Sequence, residues 1–177
     1  RFGFYQYFHR MTKERLSDEQ ASDYAQHEIF RLDIDMLPST EALDAFVESF
    51  GFRPPADPLL NPVFADGEFQ VLDEFVEWEA PTEVRLAPRK ILAAMKVRAF
   101  PDRDKSHKRR KDLADLHALL WYGSDFNQLR SRVTAHLSQE DITQFTEAVT
   151  EAEFSNAAGL IEVDPTVLQN SIQRLLA

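Results

Sequence analysis

The feature that most constrains the fold is a change of hydrophobic periodicity part-way along the 177 residues. In residues 27–37 apolar and polar side chains alternate, which predicts a half-buried strand. From Pro88 onward the apolar residues instead recur at helical spacing, which predicts amphipathic helices. The sequence therefore predicts an α+β protein, with strands and short helices first and a helical C-terminal region after them.

Local signals mark where several of these elements begin and end. Ser17 with Gln20, and Ser138 with Asp141, have the spacing of helix-starting capping boxes. Ser39 is expected to begin a helix that runs to residue 50, and Gly51 is well placed to end it. Asp164 followed by proline predicts a last helix. Residues 2–11 and 69–79 are expected to be strands.

Two consecutive helices are predicted over residues 88–100 and about 107–122, with a basic loop between them. In the first helix the expected buried residues are Ile91, Leu92, Met95 and Ala99. In the second they are Leu113, Leu116, Leu119 and Leu120.

Composition excludes several classes of protein. The chain has no cysteine, so disulfides and cysteine-based zinc or thiol chemistry are excluded. No stretch approaches the ~18–20 apolar residues of a membrane span, and no signal peptide is recognisable, so we expect a cytoplasmic protein without a membrane partner. The first residue is Arg1 and not methionine, so we expect a segment upstream of it.

A basic run interrupts a chain whose formal net charge is −10. That overall charge argues against general affinity for nucleic acid. The run either keeps a loop solvated or contacts an anion. The candidate nucleotide-binding or RNA-binding residues within it are Lys108, Arg109, Arg110 and Lys111. Its basic residues are Arg103, Lys105, His107, Lys108, Arg109, Arg110 and Lys111.

Two groups of charged residues could carry chemistry. Asp33 and Asp35 are two apart on a predicted strand, so they point to one face and could share a Mg²⁺ ion. The alternative is a solvated face with its charge balanced by Arg31. Because Asp33 and Asp35 are on the same face, the sequence does not say which of them matters more.

The second group joins the two consecutive helices. Asp112 and Asp115 flank the apolar stripe of the second helix, where an unpaired carboxylate is costly. Lys96 on the preceding helix, or a basic residue of the loop, could neutralise them. The alternative to a catalytic role is a structural salt bridge between two packed helices.

The order of these features resembles the nucleotidyltransferase-like family of AbiEii-type toxins. In that family a helix with a lysine in a K-hydrophobic-x-A context is followed by a loop with arginines. A helix that opens with [KR]-D-hydrophobic-x-D-hydrophobic comes next. The resemblance extends over residues 28–122, with its core at 96–120. The matching residues are Lys96, Val97, Ala99, Lys111, Asp112, Leu113, Asp115 and Leu116.

The resemblance implies a mixed β-sheet flanked by helices over residues 1–100 and a helical region over residues 101–177. It also implies Mg²⁺-dependent transfer of a nucleoside monophosphate from a nucleoside triphosphate to tRNA or a protein acceptor, by a toxin paired with a cognate antitoxin. Lys96 would contact the phosphates, and Asp112 would act as base or orient that lysine. Asp33 or Asp35 would be the strand carboxylate and metal ligand.

The chain departs from the family pattern in one respect. The family carries a Gly-Gly or Gly-Ser turn about ten residues before Asp-x-Asp, and no such pair precedes Asp33. The metal-binding motif then lies upstream of Arg1, or Asp33-Ile34-Asp35 is a degenerate version of it, or the protein is an inactive relative. The alternative function is a non-catalytic binding module that contacts RNA or a protein partner through its basic run.

Overall fold

The computed structural model describes residues 3–35, 37–54, 56–77, 82–122 and 125–176, without the side chains of residues 3, 4, 34 and 35. Within this part the protein contains both helices and small antiparallel sheets, so the predicted α+β class is confirmed. The chain forms two compact units, Arg1–Pro58 and Leu59–Ala177. The division expected after residue 100 lies inside the second unit.

The first unit is built on a three-stranded antiparallel sheet in the order β2-β1-β3. The register places Tyr5 opposite Asp33. The capping box of Ser17 and Gln20 is confirmed, because each side chain bonds the other's backbone N–H. Five elements make up the unit: β1 (Gly3–His9), β2 (Arg15–Leu16), α1 (Asp18–Ser22), β3 (Ile29–Asp35) and α2 (Asp44–Phe50).

The helix α2 begins later than the sequence indicated. Its N-cap is Leu43, which makes no side-chain capping bond, so the expectation that Ser39 caps this helix was wrong. Its end was predicted correctly: Gly51 has φ +74°, a left-handed conformation that glycine adopts without a steric penalty.

In the described residues of the second unit, a short helix and two short strands precede six longer helices. The strand expected over residues 69–79 is limited to β4, followed by a 3₁₀ turn.

The capping box of Ser138 and Asp141 is confirmed. Asp125 caps α6, where its side chain accepts from the backbone N–H of Gln128. The elements are α3 (Asn61–Phe64), β4 (Gln70–Val71), β5 (Arg85–Leu86), α4 (Arg89–Ala99), α5 (Ser106–Trp121), α6 (Phe126–Thr134), α7 (Gln139–Ala148), α8 (Glu151–Ile161) and α9 (Pro165–Leu176).

The hydrophobic core of the second unit lies between these six helices. The helix α5 buries Leu113, Leu116 and Leu120, as expected. The buried face of α4 differs from the prediction, because Leu92 is exposed while Ala93, Ala94 and Val97 are fully buried. The small alanine side chains allow α4 to lie close to α6 and α7 as well as α5. Because alanine is only weakly apolar, a face built on alanine is hard to recognise as buried from the sequence.

In the described parts of the chain, no helix combines the length and apolar character that a membrane span requires.

Candidate active site

The candidate site lies where the end of α4 faces the first half of α5. Lys96, on the last turn of α4, donates to Asp112 Oδ1 at 2.9 Å and to Asp115 Oδ2 at 2.7 Å. The two aspartates are three residues apart on α5, so the helix presents them on one face. The structure therefore brings together the lysine and the carboxylates that the sequence singled out.

A second cation completes the environment of Asp112. Arg103, in the loop between α4 and α5, donates from Nε to Asp112 Oδ2 at 2.8 Å. Both oxygens of this carboxylate are therefore bound, as a side chain only 7% exposed requires. Sequence reasoning allowed a basic residue of the loop to neutralise Asp112 but did not single out Arg103. The signal was available, since a buried carboxylate needs a partner for each oxygen.

The electrostatics keep Lys96 charged. Burial, the largest single influence, acts to lower the pKa of Lys96. The hydrogen bonds that Lys96 donates to Asp115 and Asp112, together with the negative charges of these carboxylates, outweigh burial and raise the pKa of Lys96 above its ordinary value. The ammonium group is therefore protonated at neutral pH, and 24% of the Lys96 side chain is exposed. Such a cation can bind an incoming phosphate.

Asp33 has a different environment, in the first unit. Its carboxylate is half-exposed and forms a two-point ion pair with Arg31, at 2.9 Å and 3.2 Å. This is the charge balance that the sequence offered as the alternative to metal binding. Asp35 is the last residue of β3, and its side chain lies outside the described part of the chain.

The basic run divides into inward-facing and outward-facing residues. Arg109 donates to both oxygens of Glu153 and to the carbonyls of Phe100 and Ala148, and its guanidinium lies 4.2 Å from the centre of the Phe100 ring. This arginine ties α5 to the end of α4 and to α7 and α8. Arg110 and Lys111 are exposed, and Lys108 is partly buried.

Comparison with known protein families settles the relationship. Residues 4–170 match the family model described as nucleotidyl transferase AbiEii toxin of type IV toxin–antitoxin systems. The chain belongs to the AbiEii family. The match covers most of the chain, including both compact units, so the resemblance noted at residues 28–122 is confirmed and extended. No characterised protein sequence and no solved structure matched the chain significantly.

Membership of the AbiEii family identifies the protein as a nucleotidyltransferase-like toxin of a toxin–antitoxin system. The same membership raises the question of a metal ion. Among the side chains that the structure describes, no three histidines, aspartates or glutamates are grouped to hold one. Asp112 is already bound by two cations and Asp33 by one, so neither, as placed, fits a metal ligand.

Proposed function

We propose that the protein transfers a nucleoside monophosphate from a nucleoside triphosphate to tRNA or a protein acceptor. The observation that carries this proposal is the Lys96 ammonium, kept charged by Asp112 and Asp115 on a side chain that is partly exposed and lines a groove. Nucleotidyl transfer develops negative charge on phosphate oxygens, and a fixed cation stabilises that charge. Membership of the AbiEii family supports this choice over other phosphate chemistry.

The proposed roles follow from the contacts. Lys96 binds the triphosphate, and Asp112 holds the lysine in place. Arg103 holds Asp112, so it acts as a positioning residue through that carboxylate. Lys108, Arg110 and Lys111 contact RNA in this proposal. Arg109, predicted with them, is engaged within the helical unit, which leaves less of its charge for RNA.

Mg²⁺ and a cognate antitoxin are proposed from the family alone. Nucleotidyltransferases of this kind are typically metal-dependent, and Asp33 and Asp35 remain the proposed ligands because Mg²⁺ prefers carboxylate oxygens. The bidentate pair of Asp33 with Arg31 would have to open for such binding. Asp33→Asn is expected to weaken Mg²⁺-dependent transfer, and equal transfer at every Mg²⁺ concentration would show that Asp33 does not bind the metal.

A binding module without catalysis is the second candidate, because the same geometry describes a structural link between two helices. Lys96 joins α4 to α5 through two carboxylates, which is a common way to fix a helix pair. The exposed Arg110 and Lys111 would then contact RNA or an acidic protein.

A labelling experiment separates the two candidates. The protein is incubated with each α-labelled nucleoside triphosphate, Mg²⁺ and total tRNA, and label in RNA and in protein is measured. Lys96→Met and Asp112→Asn are expected to lower transfer by at least about 100-fold. Arg98→Gln is the matched control, since Arg98 lies on the same helix and pairs with Asp141.

Circular dichroism of each variant shows whether it keeps its helical content, so that loss of fold is not read as loss of catalysis. Unchanged labelling in both Lys96→Met and Asp112→Asn would contradict the proposed roles. Binding of tRNA without any labelling by the unmodified protein would favour the binding module.

A further inference from the structure

A groove begins at Lys96 and runs away from Asp112 between α4 and α5. Residues on one face of each helix line it, at intervals of three, four or seven positions. The two helices are antiparallel here, because Lys96 lies opposite Asp115 and Arg89 lies opposite Tyr122. The groove has a volume of about 370 Å³, within the ~300–1,000 Å³ range of small-molecule sites. Its principal residues are Arg89, Leu92 and Lys96 on α4 and Asp115, Leu119 and Tyr122 on α5.

The character of this groove changes from charged to apolar along its length. Lys96 and Asp115 form the charged end. The middle is apolar, with Leu92 39% exposed although it lies on the helix that supplies much of the core. The far end carries Tyr122, which is 76% exposed. Exposed apolar side chains that line a concave surface next to a cation are typical of a ligand site rather than of a plain solvated face.

The far end is held in position by its own contact. Arg89 Nη1 donates to the carbonyl of Tyr122 at 2.6 Å, so the last residue of the groove is tied to the first turn of α4. Seven residues of helix separate Lys96 from Arg89, and Asp115 from Tyr122, which is about 10 Å along the axis. This is about the length of a nucleoside with one phosphate, and the two antiparallel helices line the groove over this distance.

We propose that this groove binds the nucleoside part of the substrate triphosphate, with the phosphates at Lys96, the base over Leu92 and Leu119, and Tyr122 as the stacking partner. The proposal rests on the proposed function and adds the residues that recognise the base. A flat ring packs on an aromatic side chain through its face, and every base has such a face. Among the described residues that line the groove, Leu92, Ala118 and Leu119 lie between the charged end and Tyr122, and none of the lining residues has an amide side chain to read a base edge. The groove therefore distinguishes bases by the ring area that stacks on Tyr122. Purines, which have the larger ring area, bind more tightly than pyrimidines.

Binding of two ligands by calorimetry in the presence of Mg²⁺ tests the proposal. ATP contains the base and inorganic tripolyphosphate lacks it. Tyr122→Ala is expected to weaken ATP binding by about 10-fold and to leave tripolyphosphate binding unchanged. Tyr122→Phe keeps the ring and retains ATP affinity. Leu92→Gln weakens ATP binding in the same direction as Tyr122→Ala.

The matched control is Trp121→Ala. Trp121 is the adjacent aromatic residue and is 61% exposed, but it lies on another face of α5, outside this groove. Its replacement leaves both ligands unaffected. An equal loss of ATP affinity in Trp121→Ala would overturn the proposal, and so would loss of tripolyphosphate binding in Tyr122→Ala.

Failure of this inference is distinguishable from failure of the proposed function. If Tyr122→Ala binds ATP normally and transfers label normally, the base binds elsewhere, while transfer through Lys96 stands. If the unmodified protein binds neither ATP nor tripolyphosphate and transfers no label, the proposed function fails and this groove is not a nucleotide site. In that second case, hydrogen exchange would be measured with a protein partner present. Mutual protection of the groove and the partner would identify the groove as a docking surface.

Discussion

At the scale of single residues, two adjacent arginines show how little the sequence reveals about a side chain's role. Arg109 and Arg110 are consecutive arginines in the same basic run, so neither residue type nor local composition distinguishes their roles. Successive residues on a helix are about 100° apart, so one faces the helices behind α5 and the other faces solvent. Arg109 bonds Glu153 and two carbonyls, whereas Arg110 is exposed.

The first prediction uses this pair. Arg109→Gln is expected to lower the free energy of unfolding by roughly 2–4 kcal/mol, because Glu153 is left partly buried without its cation. Arg110→Gln is expected to change stability by less than about 0.5 kcal/mol and to weaken tRNA binding. Urea titration measures the stability, and filter binding at low salt measures RNA affinity. The opposite order of effects would show that Arg109 faces RNA.

A buried histidine gives a prediction about pH. His117 is 4% exposed, and its Nδ1 lies 2.8 Å from Ser171 Oγ. Ser171 donates its own proton to the Leu168 carbonyl, so the histidine is the donor in this contact. Burial lowers the pKa of His117 below its ordinary value, because the charged ring is poorly solvated.

The sign of the effect follows from that lowered pKa. Below about pH 6.5 the unfolded chain binds a proton at this position more readily than the folded protein does, so folding stability falls as the pH falls. Between about pH 7 and about pH 5, His117→Gln is therefore expected to lose less stability than the unmodified protein. Urea titrations at both pH values measure the difference. Parallel losses in the two proteins would mean that His117 titrates normally.

At the scale of elements, the ends of many helices follow from local sequence. Ser17, Ser138 and Gly51 act where the pattern predicted, because a cap bonds backbone groups only a few residues away. The packing faces are less predictable. Alanines allow α4, α5 and α8 to approach closely, yet alanine contributes little to a hydrophobic pattern. The buried face of α4 was therefore misassigned at Leu92.

The third prediction tests this close packing on one helix. Ala157 on α8 is fully buried, while Ala152, in the first turn of the same helix, is exposed. Ala157→Leu forces extra volume into a filled space and is expected to cost about 1–3 kcal/mol. Ala152→Leu is expected to change stability by less than about 0.5 kcal/mol. Denaturant midpoints with unchanged slopes measure both, and equal values would mean that the α8 interface is loose.

At the scale of the whole molecule, the two compact units differ in how much they bury. In the described part of Arg1–Pro58, the buried hydrophobic residues are Leu16, Ala21 and Leu43. The unit Leu59–Ala177 contains the large core with Phe100, Phe145 and Phe154. A small sheet with few buried side chains is marginal alone, because apolar burial must offset the chain entropy lost on folding.

The fourth prediction follows from this difference. A fragment of residues 59–177 is expected to unfold cooperatively and to keep its helical signal, whereas a fragment of residues 1–58 is expected to show no cooperative transition. Circular dichroism during thermal and urea unfolding measures both. A cooperative transition in the short fragment would show that the first unit has a sufficient core of its own.

The α+β class, several helix caps, and the lysine and aspartates that resemble the AbiEii pattern could all be predicted from the amino-acid sequence. These features are local, or they are residue identities at fixed spacing, so they can be read along the chain. Only the tertiary structure decided that Arg103 holds Asp112, that Arg109 faces inward, and that a groove continues from Lys96 to Tyr122. Each of these depends on how α4, α5 and their connecting loop pack in space, because hydrogen bonds and apolar contacts form between residues far apart in sequence.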